Sequence, residues 1–198
     1  MNLKEKDNIL NFYGEINNEY CGPWNTSLQS KWYDYEIAKY FEEHFQIEKS
    51  LNVCNVGIGT GYWDRYLSFR MNKEAKLVSV DIDSDITETF RLCLINEQNK
   101  RNIEIVNEDI LKYNSTEKFD IITIIGSTVK EIGKYEETLK KIISMIKKDG
   151  SIFYSSVDKS ETKENIETVL KYTNFKLTEY IRLEEYGICL IHSKIVHE

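Results

Sequence analysis

Apolar residues recur along this chain in two alternating rhythms, and the alternation predicts its architecture. From Asp83 to Gln98 they fall at Ile86, Phe90, Cys93 and Leu94, the spacing of one helix face, with Ser84 or Asp85 placed to cap the start. Ile132 to Lys148 sets Tyr135, Leu139, Ile142, Ile143 and Ile146 on one face, and Glu161 to Tyr172 repeats the pattern with Ile166, Val169 and Leu170. Short apolar runs of strand length lie between these helices. Strands that alternate with helices need crossover connections, so the sheet is predicted to be mainly parallel. The C-terminal end differs. Lys176 to Leu183 and Gly187 to Val196 are both strand-like, are separated by Glu184-Glu185-Tyr186, and read as a hairpin that makes one terminal strand antiparallel.

One strand carries candidate chemistry. Leu51-Asn52-Val53-Cys54 runs into Asn55-Val56-Gly57-Ile58-Gly59-Thr60-Gly61, and a helix-like stretch from Tyr62 to Phe69 follows. A strand–glycine loop–helix unit exposes backbone N–H groups and lets a ligand approach without Cβ interference, which is the architecture of a nucleotide pocket. Two acids fall where such a pocket needs them: Asp81 ends the next strand, and Asp109 follows a third. The dinucleotide fingerprint G-x-G-x-x-G would place its third glycine at Tyr62, which is far too large for close helix–strand packing.

The G-x-G-x-G spacing resembles motif I of the class I S-adenosylmethionine (SAM) dependent methyltransferases. The resemblance continues in order: Lys76 to Asp83 is similar to that family's second strand, Ile103 to Ile110 to its third and Phe119 to Ile125 to its fourth. Ile146 to Tyr154 is similar to the helix–Gly–strand passage into its fifth. The match runs from Leu51 to the C-terminus. It implies an α/β fold, doubly wound, with a mainly parallel seven-stranded sheet, a C-terminal antiparallel hairpin strand and helices on both faces. The chain is then one domain over 1–198, with an aromatic-rich helical or lid segment over 1–50 and a Rossmann-like core over 51–198.

The resemblance also implies site roles. Gly57, Ile58, Gly59 and Gly61 would form the cofactor loop, and Asp81 would accept from the ribose hydroxyls. Asp109 would receive the adenine amino group, Ile82 and Ile110 would sandwich the ring, and Gly126 with Ser127 would close the crevice after the fourth strand. The bland alternatives are strand-end or capping acids and core isoleucines. Trp63 either covers the methionine moiety or packs beneath its helix. The chain departs from the family at Asn55, where an acid usually faces the methionine part of the cofactor. An Asn carbonyl still serves the cofactor ammonium, without charge assistance; the other reading is a plain strand-end residue.

Residues 1–50 are rich in aromatics, and Trp32 to Phe45 reads as a helix with Ile37, Phe41, His44 and Phe45 on one face. Before it, Tyr20-Cys21-Gly22-Pro23-Trp24-Asn25-Thr26 is rich in turn residues and large amphipathic side chains. By analogy with similar enzymes, Tyr20 and Trp24 would line or cover the acceptor pocket; a surface loop or dimer contact is the competing reading.

Composition narrows the partners. A formal net charge of −7, with lysines interspersed among glutamates, argues against a nucleic-acid substrate, and no acid/Asn-Pro-Pro-aromatic motif follows the fourth strand. Lys140-Lys141 and Lys147-Lys148 read as a solvated helix face and end. A small-molecule or peptide methyl acceptor is favoured, with a homodimer left open. The N-terminus lacks an apolar signal core, no apolar run reaches membrane-spanning length, and the four cysteines are dispersed, so a cytoplasmic enzyme with reduced thiols and no metal is expected. No catalytic base stands out among His44, His192, His197, Tyr20 and Tyr33. Three function classes follow: a SAM-dependent methyltransferase acting on oxygen or nitrogen, an enzyme moving a different group from SAM, and a non-catalytic SAM-binding partner subunit. A nicotinamide oxidoreductase is disfavoured by Tyr62 and by the lack of a substrate domain.

Overall fold

The computed structural model describes residues 28–47, 49, 51–126, 128–156, 158, 160–183 and 190–198. Asn52–Val56 (β1), Lys76–Asp81 (β2), Asn102–Asn107 (β3), Phe119–Ile125 (β4), Ile146–Ser156 (β5), Phe175–Leu183 (β6) and Leu190–His197 (β7) form one seven-stranded sheet in the order β3-β2-β1-β4-β5-β7-β6. The helices are Leu28–His44 (α1), Tyr62–Arg70 (α2), Ser84–Asn96 (α3), Thr128–Ile132 (α4), Tyr135–Met145 (α5) and Lys163–Leu170 (α6). β1 pairs in parallel with β2 on one side and β4 on the other, so strand order reverses there. β7 pairs antiparallel with both β5 and β6. The predicted doubly wound sheet with its antiparallel C-terminal strand is the one observed.

The chain divides into two compact units, Met1–Tyr40 and Phe41–Glu198. In the first, Trp32 and Tyr35 make an edge-to-face ring pair at 5.6 Å. The sheet and α2 to α6 belong to the second. Alternation along each strand sorts side chains to two faces. Cys54, Val56, Val78, Val80, Ile122, Ile124, Ile152 and Tyr154 form one apolar layer with Val129, Ile142, Met145, Ile166 and Leu170 of α4, α5 and α6. On the opposite face Phe153 meets Trp63 of α2, together with Phe41 and Phe45.

Three boundaries differ from the periodicity. The helix predicted from Ile132 starts only at Tyr135: Ile132 is the last residue of α4, and Gly133, whose φ of +70° is left-handed, separates the two. It also stops at Met145, because Ile146 already pairs with Phe119 in the β4–β5 ladder. Lys147 is therefore a strand residue, its Nζ 2.9 Å from both oxygens of Asp120, rather than a cation at a helix end. The predicted third strand ends at Asn107, which leaves Asp109 and Ile110 beyond it. Finally, α3 is capped by Asp83, whose Oδ1 accepts from Asp85 N and Ile86 N, and not by Ser84 or Asp85.

Gly150 lets β5 pass close to β4: a Cβ there would lie 2.9 Å from the Asp120 carbonyl oxygen and 3.0 Å from that of Phe119. Both obstacles are backbone, which cannot swing aside. Gly150→Ala is expected to lower stability by about 1–3 kcal/mol, read as a shift of the urea midpoint; an unchanged midpoint would contradict this packing.

Candidate active site

The glycine loop grows directly out of β1. Gly57 N donates to Val80 O at 2.8 Å, extending the β1–β2 ladder by one bond, and Gly61 N closes a turn onto Ile58 O at 2.8 Å. Gly61 O then accepts from Arg65 N, which starts α2. The two later glycines serve different ends. At Gly59 (φ +53°) an added Cβ would meet nothing within 4 Å, so this part of the loop faces open space. At Gly61 (φ +70°) a Cβ would strike the Phe90 ring at 2.6 Å, so the glycine is what lets α2 and α3 pack.

Asp81 reaches this loop from the end of β2. Its Oδ2 accepts from Ile58 N at 2.7 Å and more weakly from Gly59 N at 3.4 Å, while Oδ1 accepts from Asp83 N at 2.9 Å. Asn107, which sequence reasoning missed, ties the neighbouring strand end to the same place: its Nδ2 donates to Asp81 O at 3.2 Å and Ile82 O at 2.9 Å. Asp109 is half-buried, and its Oδ1 accepts from Leu111 N at 2.9 Å in a turn of its own. The two isoleucines part company. Ile82 is 71% exposed at the β2 end, whereas Ile110 is buried in the core layer. Gly126 follows β4 with φ +93° and open space where a Cβ would be. Ser127, Tyr20 and Trp24 lie outside the described residues.

Beneath the loop lies a buried polar network. Asn55 pairs in register with Ser79 on β2 and Thr123 on β4, and all three are buried on the α2 side of the sheet. Asp64 of α2, fully buried, accepts from Asn55 Nδ2 at 2.9 Å and from Ser79 Oγ at 2.5 Å. Asn55 Nδ2 also donates to Gly57 O at 3.0 Å, and its Oδ1 accepts from Thr123 Oγ1 at 2.8 Å. Thr123 Oγ1 in turn accepts from Trp63 Nε1 at 3.0 Å. The Asn55 carbonyl, expected to serve a cofactor ammonium, is thus engaged inside the protein. Trp63 is buried, its ring stacked on Tyr66 at 4.9 Å and edge-on to Phe41 at 5.3 Å.

Burial pushes the Asp64 carboxyl up to about 7, against the pull of its Ser79 and Asn55 hydrogen bonds, and the Asp81 charge adds to the rise. Burial, with the Asp64 and Glu104 charges, also raises the Cys54 thiol, leaving a buried, inert free cysteine. His44, a candidate base on an apolar face, is half-buried with Nε2 3.1 Å from Glu179 Oε2. Among the described residues no cluster of three or more His, Cys, Asp or Glu could hold a metal, and no helix is long and apolar enough to cross a membrane.

A left-handed glycine loop beside the point where strand order reverses, with an acid at the end of the next strand, is the arrangement in which Rossmann-like proteins bind nucleotides. A family described as a methyltransferase domain matches residues 47–193, and the chain belongs to that class I SAM-dependent methyltransferase family. Its fold is similar to those of solved methyltransferase structures. The N-methyltransferase NodS from Bradyrhizobium japonicum, in complex with S-adenosyl-L-homocysteine, is 13% identical and has a TM-score of 0.73, covering 96% of this chain and 98% of that one. Magnesium protoporphyrin IX methyltransferase from Synechocystis, with bound SAM, is 12% identical with a TM-score of 0.70, covering 93% and 91%. In sequence, the chain is 23% identical over 142 residues to a carboxy-S-adenosyl-L-methionine synthase from Staphylococcus epidermidis. That match takes in 71% of this chain and 60% of the relative, so the chain spans about three fifths of the length of the curated relative it matches.

The Asp64 network makes two expectations about stability. Its folded-state value lies above the ordinary 3.8, so between about pH 4 and about pH 7 the folded chain holds a proton that the unfolded chain has lost. This group's contribution to stability therefore falls as pH rises through that window. Asp64→Asn should flatten the slope while still pairing with Asn55 and Ser79. Asp64→Ala should cost about 2–3 kcal/mol, because it leaves the Asn55 and Ser79 donors buried and unpaired. Urea unfolding across the window reads both; a slope that persists in the Asn variant contradicts the assignment.

Proposed function

We propose that this methyltransferase binds SAM in the crevice between the glycine loop and Asp81 and transfers its methyl group to an oxygen or nitrogen of a small molecule or peptide. The observation that carries the reading is the Asp81 carboxylate standing against the Ile58 and Gly59 amides at the strand-order reversal. A carboxylate has about four lone-pair sites. Three backbone donors leave one site free, on Oδ1, and the weak 3.4 Å bond from Gly59 N is the one that a second ribose hydroxyl would displace; the Ile58 and Asp83 amides hold the carboxylate in place for that task.

The residues present fit the group. Gly59 and Gly126 leave open space where side chains would obstruct a ligand. Exposed Ile82 offers an apolar face for a flat base, and Asp109 stands two residues beyond Asn107, which clamps the β2 end. With Ile110 in the core, the adenine would rest against Ile82 from one side, and the ammonium would be held by groups other than the Asn55 carbonyl. When bound, SAM supplies a methyl carbon on a sulfonium, which is open to attack by a nucleophile. The chain's own part is to bind, orient and exclude water, and proximity of this kind supplies much of a transfer rate without an obligatory base.

The likeness to a carboxy-S-adenosyl-L-methionine synthase favours a second reading, in which SAM is itself the molecule modified. The mass of the SAM-derived product separates the two: loss of a methyl supports transfer to an acceptor, and a gain supports modification of the cofactor.

Calorimetric titration with SAM and with S-adenosylhomocysteine tests the pocket. Both should bind, and Asp81→Ala should weaken each by about 10-fold or more, the loss of charge-assisted hydrogen bonds. Absence of binding to folded protein, or full affinity in the variant, would overturn the reading.

A further inference from the structure

A groove of about 730 Å³ runs along α2 beside the segment that leaves α3, and neither the loop glycines nor Asp81 line it. Its position follows from topology. Lys73 lies on the connection entering β2, and Asn99, Lys100 and Arg101 on the connection entering β3, so they stand at the N-terminal edge of the sheet. The glycine loop and Asp81 stand at the opposite, C-terminal edge, which the groove reaches only at Tyr62, at the start of α2. The groove's walls combine two features that are uncommon together on an acidic chain.

The first is unpaired positive charge. Arg65, Lys73, Lys100 and Arg101 line the groove against one acid, Glu97, and that acid is already paired with Arg65. Lys73, Lys100 and Arg101 make no ion pair among the described residues, although the whole chain carries a formal charge of −7. The loop that presents two of them is fixed rather than loose: Arg101 N donates to Asn99 Oδ1 at 2.9 Å, and Asn99 Nδ2 donates to Ser68 Oγ at 3.1 Å. The second feature is exposed flat rings. Tyr62 is 52% exposed and Phe69 76% exposed, at the two ends of α2 along the same groove.

We infer that this groove is a second binding site, not built from the loop glycines or Asp81, for a nucleotide-type ligand with a base stacked on Phe69 or Tyr62 and phosphate paired with Lys73, Lys100 and Arg101. Cations alone would suit any anion; exposed rings beside them select one that carries a flat base. The acidity of the rest of the chain repels a long polyanion. The ligand is therefore a free nucleotide or a short single strand, bound locally.

Fluorescence anisotropy of a 5′-fluorescein-labelled hexauridylate against the full chain at low salt is the test. Binding is expected to weaken with salt with a log–log slope of about −2, for roughly three phosphate contacts to a single strand. Phe69→Ala should weaken it by about 5-fold or more, and Lys100→Glu and Arg101→Glu by about 5-fold or more each. All three side chains lie outside the core, and an unchanged circular dichroism melt verifies that each variant is folded. Uridine monophosphate distinguishes the source: competition equal to the hexanucleotide identifies a free nucleotide, and far weaker competition identifies a strand. No anisotropy change, variants that bind like the parent chain, or equal displacement by a hexaglutamate peptide would each overturn the inference.

Discussion

Three polar side chains meet in register in the middle of otherwise apolar strands, and the rest of the site depends on how they are satisfied. Asn55, Ser79 and Thr123 are buried side by side on β1, β2 and β4. Buried polar groups cost several kcal/mol, on the order of 2–7, unless they find partners. The sheet cannot supply them, because its backbone groups already pair with each other. Asp64 and Trp63 supply them from α2, and they reach only if the helix docks in one position. That position sets where α2 begins, and therefore how Gly57 to Gly61 must turn. Asn55 completes the link by holding Gly57 O directly. The loop's left-handed glycines and its contact with Asp81 are downstream of this buried network.

Much of this architecture was legible in the residues. The alternation of helical and strand periods predicted a mainly parallel sheet, and the terminal pair of strands predicted its antiparallel edge. The glycine spacing and the strand-end acid Asp81 predicted a loop and carboxylate that the fold brings within 2.7 Å, twenty-three residues apart in sequence. Local chemistry of this kind shows in sequence because a left-handed loop demands glycine and a strand end tolerates a charge.

The parts that were not legible depend on pairing across strands. Nothing in the run Asn52 to Val56 reveals that Asn55 will face Ser79 and Thr123; only the register does. The one available signal was a polar residue within each of three largely apolar strands, and it does not say which of them meet. Asp64 sits in the first turn of α2, where an acid suits the helix dipole at the surface, yet it is fully buried. Ile142, Ile143 and Ile146 fit a helix period, but pairing of Ile146 with Phe119 takes that last residue into β5. Ile110, for which the resemblance implies a ring contact and whose other reading is core, lies beyond the end of β3 and is buried in the core layer.

The most direct test of the central claim is a crystal structure of the chain with S-adenosylhomocysteine. The ribose hydroxyls are expected on the Asp81 carboxylate, the ligand over Gly59, and Asn55 still bonded to Asp64 and Thr123 beneath it. A ligand seated elsewhere, or an Asn55 side chain withdrawn from that network to grip the ligand, would contradict the claim.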